Sequence, residues 1–177
     1  MQSKDLILQG FLESQQADAA ALAAASDIVQ IHPYGIEPYQ QYRAVFRCDG
    51  LVHLPGGGFA RADHFELLIT FPDDYLRRAN AFEVVTWLGP PNVWHPNIRP
   101  PAICVGHLVP GTGLVNLLLQ IHEIITYRKV TMSEFDALNH AACQWARDNT
   151  HMFPLDTRPL KRRSVDFRVE AAGPGEK

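Results

Sequence analysis

Four short apolar runs separated by turn-forming residues constrain this chain more than any other feature: Ile28 to Ile31, Tyr42 to Cys48, Phe65 to Phe71 and Phe82 to Trp87. In the second run Tyr42, Ala44, Phe46 and Cys48 alternate with Arg43, Val45 and Arg47, the period of a half-buried strand. The connectors are His32-Pro33-Tyr34-Gly35, Asp49-Gly50, Pro55-Gly56-Gly57-Gly58 and Pro72-Asp73-Asp74, all rich in turn formers. Links this short join antiparallel neighbours, because a parallel pair needs a crossover of about a dozen residues or more. The runs therefore predict a four-stranded antiparallel meander and exclude a nucleotide-binding βαβ fold.

Helices flank the strands. Residues 5 to 25 read as one helix, with Leu8, Phe11 and Leu12 leading into an alanine-rich run that Ser26-Asp27 ends. Farther on, Leu114, Leu117, Leu118, Ile121, Ile124 and Ile125 keep the spacing of a helix packed on a sheet. A second helix is expected to begin near Thr131-Met132-Ser133-Glu134, capped by Ser133, with Phe135, Leu138, Ala142 and Trp145 facing inward. The class is α+β, in one domain over 1–160, a size that buries a sizeable core. Residues 161–177 form a tail that opens with the basic run Lys161-Arg162-Arg163, and Ala171 to Lys177 is expected to be disordered.

Between the strands and the later helices, Gly89 to Gly113 has no period at all. It holds Pro90, Pro91, Pro96, Pro100, Pro101 and Pro110, yet also Trp94, Ile98, Ile103 and Val105. Long loops in compact domains are disordered or functional, and the apolar anchors argue for a loop held in one shape. Chemistry is expected there.

Composition narrows the partners. The formal net charge is −3, so electrostatic binding to nucleic acid or an anionic membrane surface is not expected. No stretch approaches the roughly 18 apolar residues of a membrane span. The segment after Met1 to Asp5 is interrupted by Gln9, Glu13 and Ser14, unlike the basic start and unbroken apolar centre of a secretory signal, so no export is expected. Cys48, Cys104 and Cys143 are an odd number at wide spacing, which fits a reducing cytoplasm.

The long loop contains Trp94-His95-Pro96-Asn97-Ile98 and then Ala102-Ile103-Cys104-Val105-Gly106. On its own, Ile-Cys-Val reads as a buried strand, since free cysteine mostly behaves as a small hydrophobe. Cys48 and Cys143 lie on apolar faces and belong to the core. His95, Cys104 and His107 share the loop, but their spacing matches no zinc pattern, and no metal or cofactor is expected. Cys104 with His107 or His122, oriented by Asn97 or Glu123, is the arrangement a cysteine hydrolase would need. Gly56-Gly57-Gly58 lacks the lysine and following helix of a phosphate loop and reads as a hairpin tip.

The order of elements, the His95-Pro96-Asn97 tripeptide, Cys104 seven residues beyond it and Phe71-Pro72 at a strand end resemble the ubiquitin-conjugating enzyme family from about Leu6 to Trp145. The resemblance implies an acyl carrier: Cys104 accepts a ubiquitin-like modifier as a thioester from an ATP-dependent activating enzyme and passes it to an amine. It implies that Asn97 steadies the transition-state oxygen, directly or by holding the loop, on the scale of a few kcal/mol for one oxyanion donor. His95 and Pro96 are expected to shape the turn, and Trp94, Pro96 and His107 to line the binding site. Asp73 to Arg78 stands where eukaryotic members carry Tyr-Pro-x-x-Pro-Pro, and Val105 to Gly113 lacks their Leu-Asp pair. The likeness is therefore to divergent bacterial members, found beside an activating enzyme, a ubiquitin-like protein and a JAB-type deconjugating peptidase. A silent variant of the fold, binding ubiquitin-like proteins without chemistry, is the rival reading.

Overall fold

The computed structural model describes residues 5–37 and 39–162. The 163–177 part of the tail, including the expected disorder from Ala171, lies outside the described residues. In chain order the elements are α1 (Leu6–Ala25), β1 (Val29–Tyr34), β2 (Gln41–Phe46), β3 (Gly50–His53), β4 (Phe59–Ala62), β5 (Phe65–Thr70) and α2 (Ala81–Val84). They continue with β6 (Val85–Gly89), β7 (Ile98–Arg99), β8 (Ala102–Ile103), α3 (Leu114–Ile125) and α4 (His140–Asp148).

The α+β class and its antiparallel sheet are as expected, with order β1-β2-β5-β6, and the layout is consistent with that of ubiquitin-conjugating enzymes. The period-two pattern decides which face is buried. Tyr42, Ala44, Phe46, Phe65, Leu67 and Ile69 point into the core, while Arg43 and Glu66 pair on the outer face. Helices α1 and α3 pack together over the inner face. Asp5 caps α1, its carboxylate accepting the N–H groups of Ile7 at 3.0 Å and Leu8 at 3.3 Å. Gly113 offers α3 no side-chain cap, so the buried Gln15 of α1 accepts the Leu114 N–H at 2.7 Å instead.

The meander carries an insertion that the sequence reading placed only as a hairpin tip. Strands β3 and β4 prolong the β2–β5 pair after a break. Phe46 faces Phe65 below it and Gly50 faces Ala62 above it, so residues 47–49 oppose only 63–64, a one-residue bulge. Gly50 is needed at this crossing, because a Cβ there would lie 2.5 Å from Phe65 Cζ and 3.2 Å from Ile125 Cγ2. Overpacking of that kind costs about 2 kcal/mol, so Gly50→Ala is expected to lower Tm by roughly 4–8 °C. A melting curve unchanged to within a degree would mean that the bulge does not press on the core.

Two boundaries differ from expectation. Phe82 belongs to the short helix α2, not to a strand, because Asn80 Oδ1 accepts its N–H at 3.1 Å; the strand begins at Val85. Helix α4 begins at His140, capped by Asn139, and Ser133 caps nothing there. A helix from residue 132 would need the N–H groups of Leu138 and Asn139 within itself. Both donate to the Pro96 carbonyl instead, at 3.0 and 3.1 Å. Phe135 is consequently fully exposed, and the inward stripe is Ala142, Cys143 and Ala146.

Candidate active site around Cys104

The proline-rich loop is held as tightly as a regular element. Trp94 N–H donates to Leu51 O at 2.8 Å, and Asn92 is bonded to His53 through both backbone and side chain. Trp87 donates from its backbone to Pro101 O at 2.8 Å and from Nε1 to Pro90 O at 2.9 Å. Strands β7 and β8 pair Ile98 with Ile103, both fully buried. Trp94 packs in a three-ring cluster with His53 and Phe59, at 5.4 and 4.8 Å between ring centroids, and Tyr127 Oη donates to its carbonyl.

The tripeptide builds a closed turn. His95 Nδ1 accepts the Asn97 N–H at 3.0 Å, so the neutral ring carries its proton on Nε2. Burial lowers the His95 pKa to about 3, and the ring is neutral at ordinary pH. Asn97 is 3% exposed and uses every polar atom of its side chain. Its Nδ2 donates to Cys104 O at 3.2 Å and Thr131 Oγ1 at 2.8 Å, while its Oδ1 accepts the Thr131 N–H at 2.9 Å. Cys104 N–H closes the arrangement by donating to Asn97 O at 2.8 Å. Both backbone polar groups of Cys104 are thus tied to one residue, which fixes where its side chain starts.

Of the three cysteines only Cys104 reaches the surface; Cys48 and Cys143 are buried and all three are free. Burial pushes the Cys48 thiol up to about 12, which leaves it unreactive. Cys104 is half-buried, the condition a thiol needs to meet a macromolecular acyl donor.

The remaining predicted residues fall into distinct places. Asn97 and Cys104 come together, and His95 supports them from within. Pro96 is buried and its carbonyl is spent on Leu138 and Asn139, so it holds the turn and presents nothing to a ligand. Trp94 is half-buried in an aromatic stack, and His107 is exposed. The hydrolase pairing through His122 does not form: this ring lies in the core stacked on Phe46, and neither of its nitrogens has a hydrogen-bond partner among the described residues. Among the described residues no three His, Cys, Asp or Glu side chains gather as a metal-binding group. A cleft of about 270 Å³ lies elsewhere, lined by Leu51, Phe59, Ala60, Arg61, Trp145 and Met152, and contains none of the predicted site residues.

Two residues of the site escaped the sequence reading. Thr131 grips the Asn97 carboxamide from 34 residues away, and nothing in its sequence neighbourhood marks it. Lys129 Nζ donates to Val105 O at 2.8 Å, next to the candidate nucleophile. Its signal was available, since it is the one lysine between Asp5 and Leu160.

No protein-family model matches the chain, and a search of curated proteins finds none that matches it. Among the described residues no helix is long and apolar enough to cross a membrane.

Proposed function

We propose that this chain is a ubiquitin-conjugating-type acyl carrier that holds a ubiquitin-like modifier as a thioester on Cys104 and passes it to an amine. One observation carries the reading: the only cysteine with surface access has both its backbone polar groups bound to the asparagine of a His-Pro-Asn turn. Transthioesterification needs no strongly activated thiol, because the donor is itself a thioester on the activating enzyme. It needs a fixed, reachable sulfur, and pre-orientation of reacting atoms is where much of an enzyme's rate arises. Asn97 supplies that orientation by holding the loop; both its amide hydrogens are already engaged. The partners are an ATP-dependent activating enzyme and the modifier, with a JAB-type peptidase reversing the modification, in a reducing cytoplasm where three free thiols persist.

The engaged amide favours one second reading, a silent member of the fold that binds ubiquitin-like proteins without carrying them, since no Asn97 donor is left for a developing oxyanion. Charging separates the two. With an activating enzyme from the same genome, ATP and its modifier, a thiol-sensitive adduct is expected on a non-reducing gel. It disappears in Cys104→Ala and becomes thiol-resistant in Cys104→Ser. An activating enzyme that charges itself yet leaves this chain unmodified would overturn the carrier in favour of the binding module.

A further inference from the structure

Lysine is scarce in this chain and oddly placed. There are four lysines against twelve arginines, and Lys4, Lys161 and Lys177 lie at the termini. Lys129 alone sits in the body of the domain, with its amine 2.8 Å from the carbonyl of the residue that follows Cys104. Its root is rigid. Arg128 and Lys129 N–H both donate to Glu123 O, at 2.8 and 3.0 Å, where α3 ends, and Thr131 two residues on is locked to Asn97. The residue is exposed, on a flexible four-carbon stem whose amine is held only by the single bond to Val105 O. The amine lies over Gly106, where even a Cβ would be 3.5 Å away, so no side chain stands between the stem and the backbone beside Cys104.

We propose that Lys129 is an intramolecular acceptor: when no external amine arrives, the acyl group carried on Cys104 passes to Lys129 Nζ. The proposal rests on the carrier reading above. The Lys129 ammonium gives a proton to water, and the neutral amine attacks the thioester carbonyl. The tetrahedral intermediate expels Cys104 Sγ as thiolate; the new nitrogen–carbon bond becomes a secondary amide as nitrogen loses its second proton to that thiolate. A thioester and an ammonium thus become an amide, a thiol and one released proton. A device of this kind retires a charged carrier left without a target. A purely structural Lys129, donating one hydrogen bond to Val105 O, is served equally well by arginine, which keeps the cation and its donors but is no acyl acceptor.

The test uses a small acyl donor, a fluorescein-labelled peptide ending in Gly-Gly as its mercaptoethanesulfonate thioester. The protein is charged, excess donor is removed, and samples are split with and without dithiothreitol over time. Thiol-resistant label is expected to accumulate in the wild type, to map to Lys129 by peptide mass spectrometry, and to be absent in Cys104→Ala. In Lys129→Arg the charged fraction decays about tenfold more slowly, the modest end of what an oriented intramolecular group contributes. Resistant label that forms equally fast in Cys104→Ala, that maps to Lys4, Lys161 or Lys177, or that leaves Lys129→Arg decaying at the wild-type rate would overturn the proposal. A wild type that takes no thiol-sensitive label overturns the carrier reading with it; a stable thioester without the Lys129 adduct overturns this proposal alone.

Discussion

Lowering the pH from about 6.5 to 4.5 is expected to remove roughly 4 kcal/mol of folding stability, out of the 5–15 kcal/mol that a domain of this size has. Two buried histidines are responsible. Burial lowers the His95 pKa to about 3; for His122 burial, helped by the nearby Arg128 charge, lowers it to about 4. In the unfolded chain both titrate near 6.5. Below that pH the unfolded state binds protons that the folded state refuses, so stability falls as pH falls, by about 2 kcal/mol for each ring across this window. The loss continues until the folded rings protonate too, near pH 4 and 3. Asp156 acts in the same direction but lower down. The Arg158 guanidinium, bonded to it at 2.6 Å, holds its carboxyl well below the usual range, so its contribution is present above about pH 4 and lost beneath it. Urea titrations at several pH values should therefore show an uptake of about two protons on unfolding near pH 5. His122→Phe, which keeps a ring against Phe46, should halve that slope. A stability flat between pH 6.5 and 4.5 would mean that both rings open to water.

Asn97→Ala should cost about 3 kcal/mol, since it deletes three hydrogen bonds in a buried site and leaves the Thr131 N–H and the Cys104 carbonyl without partners. Transfer from Cys104 should fall about 100-fold, the scale on which a misplacement of one ångström acts. Asn97→Asp divides the possible routes. The carboxylate still accepts from the Thr131 N–H and can accept from its hydroxyl, but it sets an acceptor against the Cys104 carbonyl. If Asn97 acts through the Cys104 backbone, Asp is as poor as Ala in a single-turnover transfer assay. Rescue by Asp would locate the effect at Thr131, and an unchanged transfer rate in both variants would sink the positioning role.

The architecture was legible because it is written in local periods. The β5 residues alternate buried and half-buried along Phe65 to Thr70, and six of the seven buried positions of α3 are its apolar stripe, the seventh being His122. What was misread depends on partners far along the chain. The Pro96 carbonyl, 42 residues before Leu138, takes the N–H groups that would have started α4 early. The inner strands β3 and β4 escaped because Gly50 and Ala60 to Ala62 carry little strand signal; their pairing comes from the turn at Gly57 and Gly58 and from Phe59 packing on Trp94 and Trp145. At the site, Asn97 and Cys104 were marked by the resemblance of the His-Pro-Asn turn and the cysteine beyond it to the ubiquitin-conjugating family, not by any local period. Their mutual bonding and the Thr131 clamp were not, because a hydrogen bond across 34 residues leaves no period to read.

The unequal count at the bend, three residues opposite two, turns part of this sequence into a measure of length rather than of chemistry. Arg47, Asp49, Asp63 and His64 can change identity at modest cost, but losing one residue from 47–49 leaves two residues opposite two and removes the bulge that sets how β3 and β4 turn away from β2 and β5. Leu51 would then no longer offer its carbonyl to Trp94, and the loop that carries Cys104 would lose its mooring to the sheet. Among natural variants of this chain, substitutions at those four positions should accumulate freely, while changes at the buried Cys48 and insertions or deletions in the bend should be rare.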